Sequence, residues 1–272
     1  METRQYRQVH FAQNFLKSPR LVTRLVRLSS ICANDTIYEI GPGGGIITAE
    51  LALVAGRVIA IEKDPTLVQR LRERFRAQAN VEIVEKDFLA YSFKRAHCGN
   101  AFKVFASIPY NETAAIVRKI LHSSAAPAAA YLIMQKEPAK KFSGFPRETL
   151  FSILAKPFFE FEILARLKKT DFSPMPKVDS VLLGIRRRAS PMIQNEEIAL
   201  YRDFVRYGFC RWKPHIRAAF KDVFTYTQWK RLGRELGFPL NATPTELRFN
   251  QWIGLYRGYQ YLKRPGKSPK RS

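Results

Sequence analysis

Along the first two-thirds of the chain, short apolar runs rich in β-branched residues alternate with stretches of helical periodicity, the rhythm of a mostly parallel sheet covered by helices on both faces. Seven strands are predicted: Thr36 to Ile40, Val58 to Glu62, Val81 to Glu85, Phe102 to Ser107, Ala130 to Gln135, Phe161 to Leu167 and Val181 to Arg187. Between the second and third, Asp64-Pro65 opens a stretch to Ala79 with Leu67, Val68, Leu71 and Phe75 on one face, which predicts a capped amphipathic helix. After Arg186-Arg187-Arg188 the strand rhythm stops. The spacing of Tyr201, Phe204, Val205 and Gly208, then of Trp229, Leu232 and Leu236, is helical. A domain boundary is therefore expected near residue 188, with an α/β domain over residues 1–188 and an all-helical domain over 189–272 that ends in a basic tail from Lys263 to Arg271.

Charge changes this picture most. Against 23 Asp and Glu stand 46 Lys and Arg, a formal net charge of +23, so a polyanion is the expected partner. The longest apolar stretch, around Ala125 to Met134, is about half a membrane span, and no transmembrane helix is expected. The polar start from Met1 to Arg7 leads into no apolar run of a secretory signal, which predicts a cytoplasmic protein. Cys32, Cys98 and Cys210 are odd in number and far apart, so neither a disulfide framework nor a metal site is expected.

Chemistry concentrates at the ends of the first four strands. The first runs into Gly41-Pro42-Gly43-Gly44-Gly45 and then a helix pattern from Ile47 to Val54, a junction at which a ligand can touch the backbone. Ile46 stands where a dinucleotide fingerprint needs its third glycine, and Pro42 removes a donor that a phosphate cradle would use. Glu39 and Glu62 put two carboxylates around this crevice, and Glu62 lies at the separation from Gly41 at which an acid accepts from ribose hydroxyls. After the third strand, Asp87 offers an acceptor for an adenine amine and Phe88 a surface for its ring. These parts fit a nucleoside without a diphosphate, and their acidic rim tolerates a cationic sulfonium.

The fourth strand closes on Ser107-Ile108-Pro109-Tyr110, which resembles the [Asn/Asp/Ser]-x-Pro-[Tyr/Phe] signature of amino-group methyltransferases. The lone pair of an adenine N6 is delocalised into the ring, so its attack on a methyl group needs acceptors that bind the amine hydrogens where charge develops. The Ser107 hydroxyl and the Ile108 carbonyl are the candidates. Tyr110 is then placed to stack on the target base, with its ring face also favouring a nearby sulfonium.

With these residues in hand, the chain resembles the ribosomal RNA adenine N6-methyltransferase superfamily over nearly its whole length, and most closely the Erm branch that modifies 23S rRNA. The resemblance implies a Rossmann-like class I methyltransferase domain that uses S-adenosylmethionine, followed by a helical RNA-binding domain. Gln13-Asn14-Phe15-Leu16 resembles the segment that folds over the cofactor, with Asn14 and Leu16 at the contacting positions. By the same resemblance Gly41, Gly43, Glu62, Asp87 and Phe88 bind the cofactor, and Ser107 stands at the motif position where the Erm branch usually carries asparagine. The run from Phe172 to Ser180 resembles a Phe-x-Pro-x-Pro-x-Val segment whose aromatic residue, here Phe172, helps hold the target base. Phe102-Lys103-Val104-Phe105 before the motif, followed by Thr113 and Ile116-Val117-Arg118-Lys119, and Leu247-Arg248-Phe249-Asn250-Gln251-Trp252 with Leu255-Tyr256 near the end, favour the Erm branch over small-subunit dimethyladenosine transferases.

The implied role is methylation of a 23S adenine by a monomer, with resistance to macrolide, lincosamide and streptogramin antibiotics as the phenotype. A small-subunit enzyme and a non-catalytic nucleic-acid-binding relative are the alternatives. Phosphate contacts are expected from Arg4, Arg7, Lys17 and Arg20, from Lys136, Lys140 and Lys141, and from Lys168 and Lys169. Lys213 and His215 beside Trp212 are expected to face RNA or to be structural, since the chemistry needs no histidine base.

Overall fold

The computed structural model describes residues 15–93, 102–123, 125–210 and 215–263. The expectations for Arg4, Arg7, Asn14, Cys98, Trp212, Lys213 and the tail beyond Lys263 lie outside the described residues.

In chain order the strands are β1 (Phe15–Leu16), β2 (Thr36–Ile40), β3 (Arg57–Glu62), β4 (Val81–Glu85), β5 (Lys103–Ser107), β6 (Ala129–Gln135), β7 (Phe159–Leu167), β8 (Phe172–Ser173) and β9 (Ser180–Arg187). The helices are α1 (Pro19–Arg27), α2 (Ile46–Val54), α3 (Pro65–Arg74), α4 (Thr113–His122), α5 (Lys136–Ser143), α6 (Leu150–Ala155), α7 (Ile198–Cys210), α8 (Ile216–Ala219), α9 (Tyr226–Leu236) and α10 (Phe249–Lys263).

All seven predicted strands join one sheet in the order β4-β3-β2-β5-β6-β9-β7. Pairing is parallel from β4 through β6, and β9 runs antiparallel to β6. Within this sheet the chain enters at β2, moves outward through β3 and β4, then returns to the other side of β2 with β5. That reversal leaves a crevice beyond the carboxyl ends of β2 and β5, where open α/β sheets bind ligands.

Local chemistry explains the helices that flank the crevice. The Asp64 carboxylate caps α3 by accepting from the Thr66 amide at 2.8 Å, and Pro65 occupies the first turn, where its missing N–H costs nothing. This helix stops at Arg74, short of the predicted Ala79, because Phe75 leaves helical geometry and buries its ring. A second, two-stranded sheet was not foreseen: β1 pairs antiparallel with β8, Leu16 opposite Phe172, and the Lys17 amide donates to the Asp171 carbonyl at 3.0 Å. Two residues per strand are too few for a periodic signal.

The chain divides into two compact units. The first comprises residues up to Ala139 with Phe161–Arg187, and the second Lys140–Glu160 with Arg188–Ser272. One edge of this division falls between Arg187 and Arg188, and Lys140–Glu160 groups with the helical part. The second core explains why: Ile153 is buried among Tyr201, Phe220, Trp229 and Trp252, and the Tyr201 hydroxyl donates to the Ile153 carbonyl at 2.8 Å. The Tyr201, Phe204, Val205 and Gly208 face of α7 is buried as its spacing predicts. His215 caps no amide with its side chain at the start of α8. Among the described residues no helix is long and apolar enough to cross a membrane, and no cluster of His, Cys, Asp and Glu forms a metal site.

Candidate active site

Two crevices open at the carboxyl ends of the central strands, and both include Gly41 and Pro109 in their walls. One is lined by Glu62, Lys63, Asp87, Phe88 and Glu112, the other by Phe15, Leu16, Ser107, Tyr110, Phe172 and Ser180. Gly41, Glu62, Asp87 and Phe88, and the Ser107–Tyr110 motif, singled out at four separate strand ends, thus line two adjoining crevices.

The turn after β2 is held from the neighbouring strand. Glu62 is buried, yet its carboxylate accepts from three backbone amides: Gly43 at 3.2 Å, Lys63 at 2.9 Å and Asp64 at 3.1 Å. Three such donors satisfy the oxygens of a carboxylate held away from water. Gly43 has φ of +55°, and a Cβ there would collide with the Phe15 ring. A side chain at this position would be both strained and obstructed, so the glycine is required by geometry. Phe15, 40% exposed, thereby forms a roof between the glycine turn and the second crevice.

Glu39 corrects the sequence reading. Expected beside Glu62 around the crevice, it lines neither crevice wall and is 1% exposed, because strand alternation turns it into the sheet face covered by α2. Neither of its carboxylate oxygens, nor the Thr48 hydroxyl, has a hydrogen bond of good geometry. Burial pushes its carboxyl up to about 8, Thr48 beside it lowers it in part, and the Glu62 charge raises it further. Folded Glu39 therefore keeps a proton that the unfolded chain has lost, and stability falls as pH rises from the ordinary 4.5 toward about 8. Glu39→Gln should gain stability over wild type across that window, with the gap closing below it. Urea denaturation at several pH values checks this, and a gap independent of pH would assign the effect to something else.

On the far side of the first crevice, Asp87 is exposed and its carboxylate accepts from the Leu89 amide at 2.7 Å, which fixes the turn that carries Phe88. Phe88 is buried, and the Lys119 ammonium of α4 lies 5.2 Å from its ring centroid while donating to the Leu89 carbonyl at 2.6 Å. Burial holds that ammonium below its usual range, with Asp87 opposing the shift. Across the rim, Lys63 pairs with Glu112 at 2.7 Å and ties the end of β3 to the start of α4. The contact of Lys119 with Phe88 and the Lys63–Glu112 pair were not legible in the sequence, since each joins partners distant along the chain.

In the second crevice Ser107, Pro109 and Tyr110 are half-buried and Ile108 is buried. The Ile108 amide donates to the Ile133 carbonyl at 2.9 Å, and the Pro109 carbonyl accepts from the Thr113 hydroxyl at 3.1 Å. The Tyr110 hydroxyl lies 3.1 Å from the Ser180 hydroxyl, and Ser180 is 1% exposed at the start of β9. This bond joins the motif loop to the loop that begins at Phe172. Phe172 is 3% exposed and Leu16 6%, both set in the crevice wall by the β1–β8 pairing. Asn14 lies outside the described residues.

Residues 5–257 match the family model described as ribosomal RNA adenine dimethylase. The chain belongs to this family. Its resemblance to the ribosomal RNA adenine N6-methyltransferases, drawn above from motifs, is thereby borne out, as are the class I methyltransferase fold and the family's methyl donor, S-adenosylmethionine. A family member from Lysinibacillus sphaericus named rRNA adenine N-6-methyltransferase is 32% identical over 92% of this chain and 95% of its own length. Ribosomal RNA small subunit methyltransferase A of Acaryochloris marina is 31% identical over 90% of this chain and 94% of its own. The crystal structure of the 23S rRNA methyltransferase ErmE superposes with a TM-score of 0.84 at 29% identity, covering 91% of this chain and all of that one.

Proposed function

We propose that this family member, a cytoplasmic monomer, methylates the N6 of an adenine in 23S rRNA and thereby confers macrolide, lincosamide and streptogramin resistance. The observation that carries the reading is the shared wall of the two crevices at Gly41 and Pro109, which brings a nucleoside-type donor set beside an amine-type acceptor set. The choice of 23S RNA is supported by the likeness to ErmE across that whole chain and by the motif features of the Erm branch.

The residues of the first crevice suit S-adenosylmethionine by their chemistry. Carboxylates and an aromatic ring surround it, and Pro42 leaves the glycine turn one donor short of a phosphate cradle. Glu62 would hold the ribose hydroxyls, Asp87 the adenine amine, Phe88 the adenine ring, and Gly41 and Gly43 would let the backbone approach; Asn14 and Leu16 stand at the family's other cofactor-contacting positions. The bound donor supplies a methyl group activated on a sulfonium. In the second crevice the Ser107 hydroxyl and Ile108 carbonyl accept the hydrogens of the target amine, Pro109 keeps that carbonyl's loop rigid, and Tyr110 and Phe172 hold the extruded base. The methylated amine is acidic enough to release its proton to solvent. No histidine base is required. The helical unit, residues 189–272 in the sequence reading, grips the RNA through its basic surface.

Glu62→Ala should raise KM for S-adenosylmethionine by roughly 10- to 150-fold, the loss of charge-assisted hydrogen bonds worth ~1.5–3 kcal/mol. Steady-state kinetics at saturating RNA checks this. An unchanged KM would remove Glu62 from the cofactor's contacts.

The deciding experiment supplies the purified protein with labelled S-adenosylmethionine and protein-free 23S or 16S rRNA, then maps the modified base by primer extension. Label confined to 16S rRNA would replace the proposed substrate with that of the Acaryochloris marina relative's name. Label in neither RNA, with no heat of cofactor binding by calorimetry, would favour a non-catalytic nucleic-acid-binding protein. Ser107→Asn should retain activity and accelerate it, because an amide reaches further than a hydroxyl toward the amine.

A further inference from the structure

Phe145 stands 66% exposed in the helical unit, between the exposed Lys141 and the exposed Arg147. An aromatic ring in water forgoes the burial that such a side chain ordinarily gains. Its neighbour three positions back is half-buried instead: Phe142 packs edge-on against Phe151 with ring centroids 4.9 Å apart. The outward ring is a consequence of how the loop is built.

That loop is anchored from below. Glu148 is 7% exposed, and its carboxylate accepts from the Ser152 hydroxyl at 2.7 Å and the Phe249 amide at 3.3 Å, and pairs with the Lys156 ammonium. Gly144 has φ of +67°, and a Cβ there would run into the Glu148 carboxylate. The Phe145 amide donates to the Lys140 carbonyl at 3.0 Å, the Thr149 hydroxyl to the Lys141 carbonyl at 2.9 Å, and the Glu148 amide to the Thr245 carbonyl at 2.9 Å. Bonds on both sides of Phe145 and a buried ion pair beneath it fix the backbone that presents the ring.

We propose that Phe145 is a stacking platform for an unpaired base of the RNA substrate, with Lys141 and Arg147 serving the flanking phosphates. The occupant follows from charge and shape: a protein of net charge +23 attracts a polyanion, and every nucleobase offers a π-face to a ring that stands 66% exposed. Arg147 is only loosely held by Glu246, at 3.6 Å with both side chains exposed, so a phosphate can compete for it. Phe145 lines neither catalytic crevice, and it reads no particular base, since stacking tolerates all four. It rests on the reading of RNA as substrate.

The test measures binding of the full chain to a fluorescent 15-nucleotide single-stranded RNA across a salt series, alongside methyl transfer to 23S rRNA. Phe145→Ala should weaken oligonucleotide binding by about 5- to 150-fold, equivalent to ~1–3 kcal/mol per stacked base, and leave KM for S-adenosylmethionine unchanged. Phe145→Trp should restore it and Phe145→Leu should not. The salt slope should be the same for all three, whereas Lys141→Ala should flatten it by about 0.7. Binding by Phe145→Ala within twofold of wild type, or equal binding by the leucine and tryptophan variants, would overturn the proposal. Wild type that binds the oligonucleotide but methylates no rRNA would instead sink the functional reading and leave the stacking result standing.

Discussion

Tyr110→Ala should lower kcat/KM on rRNA by about 100-fold or more while the affinity for S-adenosylmethionine stays within about threefold. Loss of a base–aromatic stack alone removes ~1–3 kcal/mol, and a target amine that is no longer held in register loses further rate through misorientation. Tyr110→Phe separates the two contributions. It keeps the ring but removes the hydroxyl that meets Ser180 at 3.1 Å, leaving a serine with 1% exposure short of its partner. An unpaired buried hydroxyl costs ~1–3 kcal/mol, so this variant should be measurably less stable and about tenfold slower. Single-turnover rates at saturating RNA distinguish kcat from binding. If the alanine variant turned over at the wild-type rate, Tyr110 would have no part in holding the base, and the placement of the reaction in the second crevice would fail with it.

The second large effect concerns stability. Trp252→Ala should cost about 3–5 kcal/mol, the range for emptying the site of a buried large aromatic. Trp252 is fully buried in the helical unit, stacks on Phe209 with centroids 5.1 Å apart, and donates its indole N–H to the Pro244 carbonyl at 3.1 Å. Gly208 on α7 leaves the space its ring fills, since a Cβ there would lie 2.6 Å from the indole. Denaturant unfolding followed by tryptophan-independent circular dichroism reads the loss, and a second transition is expected because each unit buries a core of its own. A loss below about 1 kcal/mol would mean that the helical unit repacks freely around the gap.

Comparison of individual residues shows where sequence reasoning reached its limit. Glu62 was legible because its separation from the glycine turn is set by the length of one βαβ unit, a local quantity. Its bonds to Gly43, Lys63 and Asp64 were not, since they depend on the rotamer it adopts once buried. Glu39 was misplaced at the crevice because proximity along the strand end says nothing about which face a side chain takes when both faces are covered. Phe15 was visible as part of a motif, but its position over Gly43 depends on β1 finding β8, 156 residues away by the Leu16–Phe172 register. Ser180 stood inside a quoted segment with no sign that its hydroxyl would meet Tyr110.

By itself the amino-acid sequence determined the elements and their chemistry: seven strands, the glycine turn after the first, the carboxylates at the next two strand ends and the amine-type motif at the fourth. These follow from side-chain periodicity and backbone preference, which act within a few residues. Only the tertiary structure decided that Lys140–Glu160 belongs to the helical core, that Glu39 is a buried neutral acid, and that the two crevices meet at Gly41 and Pro109. Each of those depends on free energy gained between segments far apart in the chain, where burial and pairing override what any local window prefers.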